Sequence, residues 1–319
     1  MRTAEPVTAV YDIAMRVRFR GQERRQGVLL RGPAGWGEFS PFPDYDANVS
    51  SRWLAAAQEA ATIGWPAPLR SSIPVNTTIP AVGPEQAHAM VSASGCRTAK
   101  VKVAEAGQSL SDDMARVEAV RDALGPSGAL RIDANAAWDV DTATAALREL
   151  SRFDLEYAEQ PVRSLDDMAE LRRHVDVRLA ADESIRTAAD PMRVAGLEAA
   201  DVVVLKVQPL GGVRACLDVA AACGLPVVVS SAVETSIGIA AGVALAAALP
   251  ELPFACGLGT VPLLAGDVCL DPLTPIDGAL PVRRVAPDPD LVVALAADGA
   301  TRSHWLARMV SAQEVLDAR

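Results

Sequence analysis

Six residues carry the chemistry that this sequence offers: Lys100, Lys102, Asp133, Glu159, Asp182 and Lys206. Only three of the 30 basic residues are lysine, and all three belong to this set. Arginine cannot give up its proton inside a protein, whereas lysine in a dry site or beside another cation titrates toward neutral pH. A chain that uses arginine wherever a plain positive charge suffices thus marks its lysines as candidates for proton transfer. The alternative, an arginine-rich coding bias that leaves three lysines at random, has to explain why two stand two residues apart and the third closes an apolar run.

The three carboxylates end successive apolar runs. In a shared pocket they would repel one another strongly unless a cation neutralised them, so a metal is implied. Oxygen ligands with no histidine or cysteine nearby suit Mg²⁺, with Mn²⁺ next, whereas zinc would want nitrogen or sulfur. Asn135 and Glu183 stand where they would support the ligands from behind. The competing account is that each carboxylate pairs with an interior arginine such as Arg131, which shares a face with Asp133.

The elements that must position these groups recur regularly. Apolar or β-branched runs occupy residues 72–79, 99–104, 130–135, 154–161, 178–184, 201–208, 226–233 and 253–260. Alanine-rich amphipathic stretches such as 109–124, 141–150, 164–174 and 213–224 fall between them. The polar residues at run ends are spaced by about 25 residues, which suits one strand–helix unit. Eight such units predict a closed parallel barrel. An open doubly wound sheet would need a glycine-rich phosphate turn after its first strand, and there is none. In a barrel the C-terminal ends of the strands face the active site, and the alternation in Lys100-Val101-Lys102 points both amines to one face.

Residues 1–70 read differently. Two stretches of period two, VYDIAMRVRF and QGVLLRG, lead through a turn, GPAGWGE, into the helical VSSRWLAAAQEAA. This is a small α+β unit. After the eighth run, residues 277–296 hold a strand-like segment and a helix that fit no barrel repeat and are expected to return to the first unit. The last stretch, WLARMVSAQEVLDAR, reads as a surface helix with no chemistry. The expected division is therefore a capping unit of 1–70 joined by 277–319, and a barrel of 71–276.

Composition removes several classes of function. The net charge is −10 and no Lys/Arg cluster is interleaved with aromatics, so nucleic acid is not an expected partner. Mean hydropathy is +0.18, and no window of about 20 apolar residues predicts a membrane span. The N-terminal MRTAEPVTAVYDIAMRVRF has no apolar core before a small-residue cleavage site, which places the protein in the cytoplasm. Five cysteines without CxxC spacing are expected as reduced, buried thiols. His88, His174 and His304 lie away from the strand ends, so histidine-based chemistry is not expected. A monomer acting on a small carboxylate is.

The motifs KVK, IDAN, EQP, ADES and LKVQPLGG, in this order and spacing, resemble the enolase superfamily, in its branch with lysines on both sides of the metal. GWGEFSPFPDY is similar to that superfamily's capping domain. The resemblance implies a (β/α)7β TIM-like barrel under an α+β cap. Asp133, Glu159 and Asp182 would bind the metal, Lys102 would be the general acid and base, Lys206 would face it, and Lys100 would tune Lys102. The chemistry implied is removal of a proton α to a carboxylate.

Within that branch, SSAVETSIG and GLGT most resemble o-succinylbenzoate synthases, lyases of menaquinone biosynthesis that dehydrate 2-succinyl-6-hydroxy-2,4-cyclohexadiene-1-carboxylate. The substrate contacts implied are Arg131, Ser231, Gly257, Gly259 and Thr260. Backbone amides of the helix opening after Glu234 would hold a succinyl carboxylate, unless these small residues only let the barrel rim turn. Dipeptide epimerases present an acid on the last strand, and GLGT has none. An N-acyl (N-succinyl) amino acid racemase remains the alternative because it needs the same two lysines. A metal-stabilised barrel that binds a small acid without turnover is the non-enzymatic one.

Overall fold

The computed structural model describes residues 8–187 and 192–319. The start of the chain, on which the expectation of no leader rests, lies outside them. Strands β1 (Thr8–Phe19), β2 (Gln22–Gly32) and β3 (Gly35–Phe39) form an antiparallel sheet in that order. GWGEF, expected as part of a turn, is thus a strand, because Pro33 and Ala34 alone reverse the chain. Gly37 lets β3 lie directly on the helix Ala47–Thr62, since a Cβ there would sit 2.0 Å from the Ala57 carbonyl oxygen.

Eight parallel strands follow: β4 (Ser72–Ile79), β5 (Thr98–Lys102), β6 (Ala129–Asp133), β7 (Leu155–Glu159), β8 (Leu179–Ala181), β9 (Val202–Leu205), β10 (Val227–Val229) and β11 (Cys256–Gly259). Their order is β10-β9-β8-β7-β6-β5-β4-β11, and a parallel bridge between Ser230 and Gly257 closes the ring. Helices follow the first seven strands, and β11 is followed only by the short turn Val261–Leu263. The expected (β/α)7β architecture is therefore present. Helix starts are marked by side chains that accept from the exposed amides: Ser109 in a capping box, Asp139, Ser164 and Thr235. Each such cap contributes ~1 kcal/mol.

Alternation along the strands sorts the barrel wall. Leu130, Ile132, Val203 and Leu205 belong to the core beneath the helices, while Tyr157, Ala180, Val202, Val204 and Val228 form a separate interior cluster. The interior faces continue upward into the candidate residues, from Tyr157 to Glu159, from Arg131 to Asp133 and from Val204 to Lys206.

The segment after the barrel divides. Strand β12 (Ala279–Pro281) pairs antiparallel with β4 of the barrel, not with the cap sheet. Beyond the helix Pro289–Ala294 the chain runs beside β1, with the Ala297 amide donating to the Val10 carbonyl at 2.9 Å. The helix Gly299–Asp317 then packs on the cap through Trp305 and Ala312, and Trp305 Nε1 donates to Gln26 Oε1 at 3.0 Å. All five cysteines are buried and none is joined in a disulfide, as expected. Among the described residues no helix is long and apolar enough to cross a membrane.

Candidate active site

Strand register places the chemistry in one row. Lys102 pairs with Asp133 across β5 and β6, and Asp133 with Glu159 across β6 and β7. Asp182 and Lys206 each stand one residue beyond the ends of β8 and β9. In a ring of eight, β5 and β9 are four strands apart, so Lys102 and Lys206 enter from opposite walls.

Every carboxylate of the row meets a lysine. Lys100 Nζ donates to both Glu159 oxygens at 2.8 Å, Lys102 Nζ lies 2.5 Å from Asp133 Oδ2, and Lys206 Nζ lies 2.5 Å from Asp182 Oδ2. Lys102 also donates to Asn135 Oδ1, whose Nδ2 reaches Glu183 Oε1 at 3.1 Å. These groups are buried, so their charges act through little solvent. Burial first, and then the Lys100 cation, hold Lys102 below the ordinary lysine value despite Asp133. Against its own burial, Lys100 is held above that value by Asp133 and Glu159. The proton is thus held more tightly on Lys100 and less tightly on Lys102.

Whether this set suits a cation is answered by the carboxylates. Burial first, and then the neighbouring Asp133, push Glu159 up to about 7 despite the Lys100 contact. Asp182 is brought down to about 2, Arg186 and Lys206 outweighing its burial. Its Oδ1 has no hydrogen bond, although Arg186 Nε lies 3.0 Å away out of line. Among the described residues no three metal-ligating side chains are already drawn together as a cluster, because the lysines stand between the carboxylates. The donor set, three oxygen acids on adjacent strands and no nitrogen or sulfur ligand, fits a hard cation in place of those lysine contacts.

The row opens into a cavity of 30 Å³ lined by Lys100, Lys102, Asp133, Asn135, Glu183 and Lys206 and, from the far wall, by Ser231, Gly257 and Thr260. The cap contributes Phe19, Arg20 and Phe42 to the lining, so the position of the cap sets the room left for a substrate. Phe19 stands 5.2 Å from Lys102 Nζ, measured to its ring centroid.

Three expectations for substrate contacts do not hold. Arg131 does not line the cavity: it is 0% exposed and bound to Glu156, Asn76 and the Ala255 carbonyl. It sits two residues before Asp133 on the interior face, a full layer lower in the barrel. Gly259 lines a separate cavity, beside Pro262 and Pro275, and a Cβ on it would meet the Asn76 carbonyl oxygen at 2.7 Å. The helix Ser236–Ala248 cannot offer its first amides to a substrate anion. Glu38 of the cap accepts from Gly238 N at 3.0 Å, Thr235 N at 3.4 Å and Thr235 Oγ1 at 2.5 Å, and Asp267 accepts from Ser236 N.

Sequence reasoning passed over Glu38, although GWGEF contains it, and Gln160 in EQP. Gln160 Oε1 accepts from the Asp182 amide at 2.9 Å and from Ser184 N and Oγ, which fixes the backbone that carries Asp182. Its φ of 37° shows that the turn after Glu159 is held in a sparsely populated conformation. Arg186 was also missed. It pairs with Asp182 and Glu183 and donates to Tyr45 Oη of the cap at 3.3 Å.

Comparison with known proteins agrees with this geometry. Residues 10–61 match the family described as Enolase N-terminal domain-like, and residues 84–288 the one described as Enolase C-terminal domain-like. The chain is 63% identical over 303 residues to the o-succinylbenzoate synthase of Thermobifida fusca, covering 95% of each chain. It is 49% identical to that of Mycolicibacterium smegmatis, over 96% of this chain and 95% of the other. The solved muconate lactonizing enzyme from Pseudomonas fluorescens shares the fold with a TM-score of 0.77 at 22% identity, over 92% of this chain and 98% of that one. By both of its domains and by the lysines and carboxylates gathered at the barrel mouth, the chain belongs to the enolase superfamily.

Proposed function

We propose that this chain is a carbon–oxygen lyase that dehydrates 2-succinyl-6-hydroxy-2,4-cyclohexadiene-1-carboxylate to o-succinylbenzoate, a step of menaquinone biosynthesis. The observation that carries this reading is the 63% identity to a synthase of that name over 95% of the chain, which spans cap and barrel alike. Members of the superfamily generally depend on a divalent metal. Asp133, Glu159 and Asp182 would hold it, Mg²⁺ by preference and Mn²⁺ next. When bound, the ion supplies a Lewis acid that offsets the charge developing on the substrate carboxylate.

The rest falls to the protein. Lys102, the amine whose proton is loosened by burial and by Lys100, takes the proton from the carbon beside the carboxylate. The freed electron pair spreads into that carboxylate, and the Lys206 cation on the opposite wall offsets its charge. Lys102, now protonated, returns its proton to the hydroxyl on the same face. The C–O bond breaks, water leaves, and the ring becomes aromatic. Ser231 and Thr260, whose hydroxyls are 2.7 Å apart on the far wall, support a role in orienting the succinyl arm. The cap, residues 1–70 joined by the C-terminal helices, closes the mouth of the barrel, residues 71–276. Five buried cysteines outside disulfides fit a reducing compartment and so the cytoplasm.

One observation keeps a second reading open: lysines on opposite walls also suit a racemase of N-succinyl amino acids, which exchanges protons on both faces. Supplying the cyclohexadiene carboxylate with Mg²⁺ and following ultraviolet absorbance tests the lyase directly. An aromatic product is expected, and no absorbance change at high enzyme concentration would defeat the proposal.

A further inference from the structure

Val233 lines the cavity with a φ of 62°. For a β-branched residue this backbone state is costly, because Cβ crowds the following carbonyl, and it persists only where the surroundings over-determine it. Those surroundings are specific. Arg25, on β2 of the cap, is 1% exposed and donates from Nε to the Val233 carbonyl at 3.0 Å. Its Nη2 holds the Ser40 carbonyl at 2.8 Å, and its guanidinium carbon lies 4.7 Å from the Phe42 ring centroid, so its position is fixed from three sides. On the other side, the Val233 amide donates to Ser231 Oγ at 3.3 Å, and that hydroxyl meets Thr260 Oγ1 at 2.7 Å. A continuous path of hydrogen bonds therefore runs from the cap, through the strained residue, to the hydroxyls on the cavity wall.

We infer that Arg25 is a positioning residue: by holding the Val233 carbonyl it keeps Val233 in its strained conformation and so aims the Ser231 and Thr260 hydroxyls at the substrate. Arg25 does not line the cavity; it reaches the cavity wall through the Val233 carbonyl and, on the cap side, through the Phe42 ring it packs on. Were Val233 to relax to a negative φ, its flanking peptides would turn, and the bonds to Arg25 and to Ser231 would be lost together. Because the donor belongs to the cap, the seating of the cap and the shape of the substrate wall are one event. The inference takes its reporting substrate from the lyase reading and is otherwise independent of it.

The test compares glycine with alanine at position 233. Both remove the buried side chain, and in ordinary backbone glycine is the less stable of the two, but at positive φ the order reverses. Val233→Gly is expected to melt at a higher temperature than Val233→Ala. In kinetics, Arg25→Met is expected to raise KM about tenfold, as for a misplaced binding group, with a smaller change in kcat. Arg25→Lys, which keeps the charge and can reach one carbonyl, should raise it less. Arg25→Met combined with Val233→Gly should recover most of the loss, and combined with Val233→Ala should not. Val233→Gly melting at or below Val233→Ala would overturn the inference, as would a glycine double variant no better than the alanine one. Absence of turnover in the unmodified protein would instead strike the lyase reading; the drop in melting temperature on Arg25→Met, expected to be smaller beside Val233→Gly than beside Val233→Ala, would then decide this one.

Discussion

Lys100 and Lys102 converge on a single carboxylate oxygen: Asp133 Oδ2 lies 3.1 Å from one Nζ and 2.5 Å from the other. The pair divides its labour because only Lys100 has a second carboxylate, Glu159, to hold its charge. In the proposed mechanism Lys102 is the amine that exchanges the proton. Lys102→Arg keeps a cation in place but removes a base, so initial rates should fall by at least ~10²-fold. Lys206→Arg should retain more activity, since that side chain is asked only for charge. Equal losses in the two variants would contradict the division.

Three carboxylates that lean on lysines for neutralisation should exchange that partner for a cation. Excess chelator is expected to abolish turnover, and Mg²⁺ or Mn²⁺ to restore it. Either ion at a hundredfold excess over its Kd should stabilise the fold by ~2.7 kcal/mol in thermal melts. Full turnover in chelator would remove the metal from the account. A stabilising shift without any product from the cyclohexadiene substrate would favour the non-enzymatic barrel.

Glu234 offers a test at the cap–barrel boundary that does not involve the reaction. Burial and the nearby Glu38 push its carboxyl up to about 7, from an ordinary 4.5. A carboxyl that binds its proton more tightly when folded adds stability that is whole below the unfolded value and is lost as pH rises through the folded one. This group should therefore remove on the order of 3 kcal/mol between about pH 5 and about pH 8. Glu234→Gln can keep the acceptor for the Ala232 amide, now 2.7 Å away, and cannot ionise. Denaturant midpoints of the variant should fall less over that range than those of the unmodified protein. Parallel declines would show that Glu234 ionises freely.

Glu38 seats the cap by filling the N-terminus of the helix Ser236–Ala248, and it also accepts from Tyr11 Oη and Ser40 Oγ, both at 2.7 Å. Glu38→Ala would strand several buried donors at once. A loss of ~2–4 kcal/mol is expected from denaturant melts, with Glu38→Gln intermediate. A change under ~0.5 kcal/mol, the size of an ordinary surface substitution, would show that the cap does not depend on this contact.

What could be read from the sequence was what local spacing encodes. Lys102, Asp133, Glu159, Asp182 and Lys206 were legible because each stands near the end of an apolar run, and runs repeat at the length of one strand–helix unit; Lys100 was legible by its alternation with Lys102. Depth was not legible: Arg131 and Asp133 share a face, and only the register shows that one lies at the floor and the other at the mouth. Contacts between distant segments were hidden as well. Glu38 binds amides about 200 residues away, so nothing near it in the chain announces that the helix N-terminus is already filled. Strand β3 reads as a turn in the sequence because its glycines, one of which is needed for close approach to a helix, look like loop residues until that helix is in place.

Dehydration and racemisation make opposite demands on the two lysines, and a paired measurement in heavy water separates them. With Mg²⁺ present, the cyclohexadiene carboxylate is followed by ultraviolet absorbance, and N-succinyl amino acids are followed by deuterium appearing at the α-carbon. The account expects rapid formation of the aromatic product and little α-exchange. Rapid α-exchange with no aromatic product would contradict it and establish the racemase in its place.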